Sequence, residues 1–382
     1  MTDQTANGIF IRDAMVERLD PPGSTVGFIG WARKSLFSSI PNTLLTLFSL
    51  YIMWLVLPPL IRFLFIDAVW NGASRADCLE ENLHRPVGAC WPFIKAKFGQ
   101  LVYGFYPGDQ RWRVDITFIL GAALLVPLMV PSLPGKRENA IAFFVIFPVV
   151  AFFLLVGGVL GLEHVETRQW GGLLVTLVVA VTGIVVSLPL GIVLALGRRS
   201  QLPVIRLVSI VFIEFWRGVP LITVLFFATY MLPLFLPNSW TIDGLLRALV
   251  GVALFASAYM AEVIRGGLQA IPKGQFEGAM ALGLGYWKMM GLIVLPQALK
   301  LVIPGIVNTF IGLFKDTTLV MIVSIFDFLG QIRAAFADPT WSTPVTLFTG
   351  FAFAGVVYFF FCFGMSRYSL FVEKRLNTAY RR

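Results

Sequence analysis

Charged residues are scarce in this sequence. Only 13% of its 382 residues are Asp, Glu, Lys or Arg, while 57% are hydrophobic and 14% are aromatic. Soluble globular chains are roughly a quarter charged, so this composition argues against a protein whose surface faces water. The mean hydropathy of +0.81 indicates that a lipid bilayer is the solvent.

Cysteine and histidine are also rare, with three and two residues respectively. Three cysteines are too few for a disulfide-rich scaffold. The sequence has no phosphate-cradling glycine loop followed by Lys and Ser or Thr, no His-Glu-x-x-His pair and no G-x-S-x-G motif. The two histidines, His84 and His164, fall in loops between apolar segments. We therefore expect a chain that is not an enzyme and that binds neither a metal nor a cofactor itself.

Long apolar runs dominate what is present. Eight of them approach the roughly 20 residues that a helix needs to cross about 30 Å of hydrocarbon. They are too long for the strands of about ten residues in a membrane barrel. The sequence therefore predicts an all-α polytopic membrane bundle of about eight transmembrane helices, named span one to span eight. Their predicted bounds are 43–66, 116–131, 140–161, 172–196, 219–236, 245–260, 297–321 and 345–365.

The distribution of Lys and Arg predicts the orientation of the spans, because basic residues accumulate in cytoplasmic loops. With both termini cytoplasmic, the short outer loops keep only Arg168, Arg247 and Arg333, and the long outer loop 67–115 is exempt from the rule. The net charge of +9 is then a topology signal, and no nucleic-acid partner is expected. Residues 1–42 lack an apolar stretch followed by small residues, so we expect a cytoplasmic tail without a cleavable signal peptide.

The outer loop 67–115 contains Cys78 and Cys90, whereas Cys362 lies within span eight. An oxidising compartment outside the membrane would permit a disulfide between the first two cysteines. Two unpaired thiols are the alternative, because a disulfide requires a geometry that the sequence does not give.

A polar segment, residues 270–296, separates span six from span seven and is called the elbow below. It contains Pro272 near its start and Gly283 and Gly285 in its middle. These residues predict a short helix over about 275–282, a glycine turn and a second short helix that ends at Pro296. Glu277 would lie near the positive end of the first helix dipole. Small residues would let a partner approach the backbone closely, which a plain connector does not need.

Within the elbow, a carboxylate and two small residues are followed at fixed spacing by a glycine and an Ile-x-Leu-Pro sequence. The residues are Glu277, Gly278, Ala279, Gly283, Ile293, Leu295 and Pro296. In this respect the elbow resembles the EAA loop of ABC-importer permeases, E-A-A-x3-G-x9-I-x-L-P, with Gly278 in place of the first alanine. In that family the loop docks into a cleft on a separate cytosolic ATPase and transmits its closure to the membrane helices. The resemblance implies this coupling role for the seven residues.

Three further segments are EFWRGVP at 214–220, AYMAEVIRGG at 258–267 and LFKDTTL at 313–319. They resemble the polar amino acid branch of these permeases. The resemblance implies a five-helix, type I importer permease core over 166–382 and leaves 43–165 as a three-helix membrane extension. This longer architecture is similar to that of the general L-amino-acid and glutamate/glutamine/aspartate/asparagine permeases.

The resemblance also implies a function and a set of partners. The chain would be a multi-pass permease subunit of the bacterial inner membrane that imports polar L-amino acids. ATP and Mg would bind to two ATP-binding cassette subunits, and a homologous second permease, a periplasmic amino-acid-binding protein and the lipid bilayer would be the other partners. The alternative is an ion-coupled secondary amino acid transporter, but the sequence has no internal repeat that pairs its halves.

Polar residues within span seven are candidates for the substrate pathway. Ionisable side chains inside a membrane are costly and indicate a functional site by default, and a zwitterionic amino acid needs partners for both of its charges. A structural bridge between helices is the alternative interpretation. Lys315 and Asp316 are expected in the outer half of the membrane. The candidates are Asn308, Lys315, Asp316, Thr317 and Thr318.

Two carboxylates and two guanidinium groups are predicted at one membrane level, close to the elbow. Glu214 and Arg217 precede span five, whereas Glu262 and Arg265 end span six. The spacing of three residues puts Glu262 and Arg265 on one helical face. We interpret these four residues as a brace or gate. The apolar segment 204–216 is expected to lie at the membrane interface rather than cross the membrane.

Overall fold

The computed structural model describes residues 27–159, 161–237 and 242–378. These residues form helices and three isolated bridges, with no strand among them, so the all-α prediction is confirmed. Most of the expected cytoplasmic tail, residues 1–26, and the last four residues lie outside the described part of the chain. By internal contacts the chain separates into two compact units, 1–67 and 68–382. Spans two and three therefore belong to the same unit as the predicted permease core.

Seven helices in the described ranges are long and apolar enough to cross a membrane, and an eighth span is a bent helix pair. Several of these helices extend beyond the apolar runs predicted from the sequence, because charged and turn residues next to those runs are also helical. Spans one to four are Ile40–Ile66, Gly108–Met129, Lys136–Val156 and Gly172–Arg198. Span five is Pro203–Gly218 with Leu221–Phe235, and spans six to eight are Gly244–Ala270, Ile303–Val323 and Thr346–Leu376.

The first unit consists of the helix Gly27–Ser35 and span one. Ser39 caps span one, because its hydroxyl accepts a hydrogen bond from the Asn42 N–H at 3.4 Å. Pro58 and Pro59 lie inside the helix, and a π-helical turn, Arg62–Ile66, follows them. No residue of the helix Ile40–Ile61 is buried, as is expected for an apolar helix whose surroundings are lipid or another subunit.

The second unit begins with the outer loop, in which Cys78 and Cys90 are joined by a disulfide. The loop contains short helices at Arg75–Cys78 and Glu80–Leu83 and a 13-residue helix, Trp91–Tyr103. This 13-residue helix is attached to span eight and to the helix Phe328–Phe336. The Cys90 N–H donates to the Thr349 hydroxyl at 2.9 Å, and the Gln100 amide donates to Gln331 at 3.1 Å.

Span two keeps its helix to Met129 even though Pro127 interrupts its hydrogen bonds. The carbonyl groups at the end of a helix lack intrahelical partners. Lys136, at the start of span three, donates to the carbonyls of Pro127 and Val130. Asn139 donates to the Leu124 carbonyl at 2.7 Å. These side chains explain how a short, proline-containing run completes a membrane crossing.

Span five is broken at Val219 and Pro220. Val219 has an extended backbone, since proline disfavours the helical conformation of the residue before it. The helices Pro203–Gly218 and Leu221–Phe235 meet at 102°. A π-helical turn, Phe227–Met231, lies within the second of them. The sharp bend is consistent with an interfacial position for the first helix, which the sequence predicts over 204–216.

Spans four and six form the centre of the second unit. Ala258, Ala261 and Ile264 of span six are fully buried. Gly267 is required near the end of span six, because a Cβ atom there would lie 2.6 Å from the Ala298 carbonyl oxygen. This close approach brings the second helix of the elbow directly against span six.

Candidate functional site

The elbow begins with the helix Lys273–Ala281, which ends at a glycine turn. Gly283 has φ of +72°, a conformation that favours glycine. The Gly283 N–H donates to the Met280 carbonyl at 2.9 Å, and the Leu284 N–H donates to the Ala279 carbonyl at 3.2 Å. This pair of hydrogen bonds is the Schellman motif. The predicted glycine turn is therefore present, and Gly283 sets its direction.

Both predicted helices of the elbow differ from the structure at one end. The first starts at Lys273, so Glu277 lies in its second turn and gains little from the helix dipole, which acts within the first turn. The second does not end at Pro296. It runs over 286–301, because a π-helical turn, Met290–Val294, precedes Pro296 and absorbs the missing N–H. The chain breaks at Val302 instead, so span seven starts at Ile303 and not at 297.

The elbow exposes an apolar face together with its glycines. Leu282 is 77% exposed and Trp287 is 76% exposed. A Cβ atom at Gly278, Gly283 or Gly285 would meet nothing within 4 Å. Glu277 and Pro296 are exposed, whereas Ile293 and Leu295 are half-buried. The surface is open to a partner that needs close access to the backbone.

Ala279 points in the opposite direction. It is only 2% exposed and packs in a cluster with Leu268 of span six and with Met289, Met290 and Val294 of the second elbow helix. The expectation that Ala279 belongs to the partner-facing surface is corrected here. Its small side chain lets the first helix of the elbow pack closely on the ends of the spans.

The four brace residues come together as predicted, and Arg198 at the end of span four joins them. Glu262 lies at the centre. Its carboxylate is 2.6 Å from Nη2 of Arg265, 2.9 Å from Nη1 of Arg198 and 3.8 Å from Nη1 of Arg217. Glu214 is 2.8 Å from Nη1 of Arg198 and 4.0 Å from Nη1 of Arg217. These five residues are called the ion network below.

The ion network ties span four to span six and to the helix Pro203–Gly218. The Glu262 side chain is 15% exposed, whereas that of Glu214 is 53% exposed. Three guanidinium groups and two carboxylates leave the network with one excess positive charge. The Arg217 guanidinium also lies 5.8 Å from the ring centre of Tyr259. The sequence does not single out Arg198, since nothing in the local sequence links it to Glu262.

The pathway candidates of span seven divide into two groups. Asn308 and Lys315 are exposed, and their spacing of seven residues puts them on one side of the helix Ile303–Asp316. Asp316 is half-buried. Thr317 is buried and its hydroxyl donates to the Phe314 carbonyl at 2.8 Å, so it does not share this exposed side. The Thr318 hydroxyl donates to the Lys315 carbonyl at 2.9 Å.

A buried polar cluster near the outer loop was missed by sequence analysis. Asp327 is fully buried and caps the helix Phe328–Phe336 by accepting from the N–H groups of Leu329 and Gly330. The Tyr358 hydroxyl donates to its carboxylate at 3.2 Å. Burial raises the pKa of Asp327, although these hydrogen bonds oppose the shift. The Asp before an apolar segment was the available signal, because Asp is a favoured N-cap.

The outer loop also forms an ion pair with the segment after this cluster. Lys97 of the helix Trp91–Tyr103 contacts the carboxylate of Asp338. The hydrogen bond from Lys97 lowers the pKa of Asp338 to about 2. Together with the contacts of Cys90 and Gln100, this pair fixes the outer loop on the helix Phe328–Phe336, the segment after it and the start of span eight.

Comparisons with known proteins indicate the family to which this chain belongs. Residues 187–378 match the family described as "Binding-protein-dependent transport system inner membrane component". The chain is 54% identical over 348 residues to the inner membrane amino-acid ABC transporter permease protein YhdY of Escherichia coli K12, which covers 91% of this chain and 93% of the relative. It is 40% identical over 436 residues to the glutamate/glutamine/aspartate/asparagine transport system permease protein BztC of Rhodobacter capsulatus, over 97% of this chain and 99% of the relative.

A solved structure of an amino acid ABC transporter with histidines is 28% identical, covers 53% of this chain and 92% of its own, and superposes with a TM-score of 0.47. The family match lies within the region predicted as the permease core and contains the whole elbow. The resemblance inferred from the elbow is therefore confirmed. The chain belongs to the inner membrane components of binding-protein-dependent transport systems.

Proposed function

We propose that this chain is the permease subunit of an ATP-driven importer for polar L-amino acids. The elbow carries the proposal, because its coupling pattern coincides with an exposed surface whose opposite side packs on spans four and six. The names of the relatives YhdY and BztC support amino acids as the cargo, and that of BztC supports glutamate, glutamine, aspartate and asparagine. Membership of the family favours the ATP-driven importer over the ion-coupled transporter.

The proposed assembly contains subunits that this chain does not supply. Two ATPase subunits hold ATP and Mg and receive the exposed apolar face of the elbow. A homologous second permease completes the pathway, and a periplasmic binding protein delivers the amino acid to the outer face. In this arrangement both termini and the elbow are cytoplasmic, as the distribution of Lys and Arg indicates.

The transport cycle follows from these contacts. Closure of the ATPase subunits on nucleotide displaces the elbow, and the cluster around Ala279 passes that displacement to spans four and six. The ion network holds the end of span four, the end of span six and the helix Pro203–Gly218 together while they move. The amino acid shifts the equilibrium between inward-facing and outward-facing states only by its different affinity for the two.

The exposed side of span seven supports a pathway at that position. Lys315 is unfavourable against lipid, because a charged side chain in hydrocarbon costs at least about 2.5 kcal/mol, and the polar Asn308 lies on the same side of the helix. A water-filled pathway or a second permease must therefore cover this side. Lys315 and Asp316 supply a cation and an anion for the two charges of an amino acid.

The central test is a crosslink from the elbow to the ATPase. A photo-crosslinking amino acid is placed at Glu277, and the complex is purified with the products of candidate ATPase genes. We expect capture of a nucleotide-hydrolysing protein from position 277, whereas the same probe at Thr340, which is exposed near the outer loop, captures none.

Transport in proteoliposomes separates the two classes of transporter. With the ATPase and the binding protein present, uptake of labelled glutamate or glutamine should require ATP and should stimulate its hydrolysis. Uptake that continues with an inactive ATPase while an ion gradient persists would contradict the proposal.

A further inference from the structure

Two adjacent arginines at the end of span four reach different partners. Arg198 contacts the carboxylates of Glu214 and Glu262 in the ion network. Arg199 donates from Nη1 to the Leu268 carbonyl at 2.8 Å. The Arg199 guanidinium also lies 5.6 Å from the centre of the Phe276 ring. The end of span four is thus connected to the ion network through one residue and to the elbow through the next.

The two contacts of Arg199 join three separate elements. Leu268 is in the last turn of span six, where carbonyl groups have no partner within the helix. Phe276 is in the first helix of the elbow and is half-buried. A single guanidinium therefore caps span six and covers an aromatic ring of the elbow, while its own backbone ends span four.

These contacts differ in kind from the apolar contacts of the first elbow helix with the spans. Its hydrogen bond from Gln297 to Gln275 at 3.1 Å joins the two elbow helices to each other and does not reach span four. The cluster around Ala279 is apolar and non-directional, so it transmits a displacement of the helix without fixing the rotation of the helix about its axis. A guanidinium is planar, and it can donate in its plane to a carbonyl while its face covers a ring. The Arg199 contact therefore fixes the orientation of the first elbow helix relative to spans four and six.

We propose that Arg199 is the positioning residue that converts displacement of the elbow into movement of span four. The proposal rests on the proposed function, in which the elbow receives the ATPase. Loss of the contact leaves the docking surface intact, because Leu282, Trp287 and Glu277 lie on the exposed face. Loss of the contact removes the directional link between the elbow and span four, so nucleotide hydrolysis continues while transport falls.

The test measures amino acid molecules transported per ATP hydrolysed by the complete importer in proteoliposomes. Arg199→Gln keeps a polar side chain but loses the charge, and Phe276→Leu keeps an apolar side chain but loses the ring. We expect each to lower the transport-to-hydrolysis ratio by about tenfold, the effect of losing a charge-assisted hydrogen bond or a cation–π contact. The double variant should be no worse than either single one, because both remove the same link.

Two further variants separate positioning from general structure. Arg206→Gln changes an exposed arginine of the neighbouring helix and should leave the ratio unchanged. Arg199→Lys keeps the charge and the carbonyl bond but loses the planar fork, so it should restore part of the ratio. Additive losses in the double variant, or transport and hydrolysis that fall together in Arg199→Gln, would overturn the assignment of Arg199.

The crosslink from position 277 distinguishes a failure of the role of Arg199 from a failure of the proposed function. In the Arg199→Gln variant, a crosslink as strong as in the unmodified protein with a lowered ratio supports the role of Arg199. The same crosslink with an unchanged ratio overturns that role alone. No crosslink in the unmodified protein overturns both the proposed function and the role of Arg199.

Discussion

Glu262 contacts three arginines, each of which belongs to a different helix. Its side chain is among the least exposed in the ion network, and Arg198, Arg217 and Arg265 all lie within 4 Å of it. Glu214 contacts two of the same arginines from a more exposed position. We therefore expect the two carboxylates to contribute differently to the stability of the protein, although they carry the same charge.

We predict that Glu262→Gln destabilises the protein by about 1–3 kcal/mol, because it leaves partly buried guanidinium groups without their main carboxylate. Glu214→Gln is the matched control and should cost less than about 1 kcal/mol, as exposed ion pairs do. Thermal unfolding of the purified protein in detergent measures both. Equal effects of the two substitutions would contradict a central role for Glu262.

The pair of Lys97 and Asp338 predicts a pH dependence in the outer loop. The folded protein lowers the pKa of Asp338 to about 2, compared with about 3.9 in an unfolded chain. The pair therefore stabilises the folded loop fully above that ordinary pKa, and the contribution is lost as the pH falls through about 2. The rate at which an acid-active protease cleaves the outer loop should report this loss of stability.

In that experiment the unmodified protein should resist cleavage better than Lys97→Met at pH 5. The difference between them should shrink as the pH falls toward 2. A difference that stays constant over this range would show that Lys97 acts through packing and not through the charge of Asp338.

At the scale of elements, the elbow contains two glycines whose roles are opposite. Gly283 has a positive φ and ends the first helix, whereas Gly278 lies inside that helix with open space around it. A side chain is strained at the first position, and it is favoured at the second because alanine stabilises helices. The family pattern has glycine at the first position and alanine at the second.

We predict that Gly283→Ala destabilises the elbow by about 1–2 kcal/mol, the cost of a left-handed conformation for an L-residue. Gly278→Ala should stabilise the first helix by about 0.5–1 kcal/mol. Hydrogen exchange at the amide of Leu284, which bonds to the Ala279 carbonyl, reports on the turn. Faster exchange in Gly278→Ala, or unchanged exchange in Gly283→Ala, would contradict this account.

Much of the elbow was predictable from local sequence, but its helix ends were not. The glycine turn follows from Gly283 alone, because few other residues adopt its backbone conformation. The second helix passes through Pro296, and the break falls at Val302. The prediction failed there because a π-helical turn tolerated the proline, and packing of Ala298 against Gly267 stabilised the longer helix.

At the scale of the whole molecule, the polar and charged side of span seven should contact water or another subunit and not lipid. Asn308 and Lys315 are exposed on one side of the helix, with the half-buried Asp316 next to them. In the proposed importer this side faces the pathway for the amino acid. The charge of the pathway should then influence which amino acids bind.

We predict that Asp316→Lys alters the order of preference among glutamate, glutamine and a cationic amino acid by roughly tenfold, since it reverses a charge-assisted contact. Binding of labelled amino acids to the assembled complex measures the order. Glu81→Lys, which reverses an exposed charge in the outer loop, is the control and should leave it unchanged. Unaltered affinities in Asp316→Lys would remove this residue from the pathway.

The sequence by itself determined the membrane class, the number of spans and the position of the elbow, because apolar length and glycine turns depend on neighbouring residues. Only the tertiary structure decided that Arg198 meets Glu262, that Ala279 faces inward and that Asp327 is buried. Arg198 and Glu262 are 64 residues apart. Their contact depends on how spans four and six pack, and no local pattern encodes that arrangement.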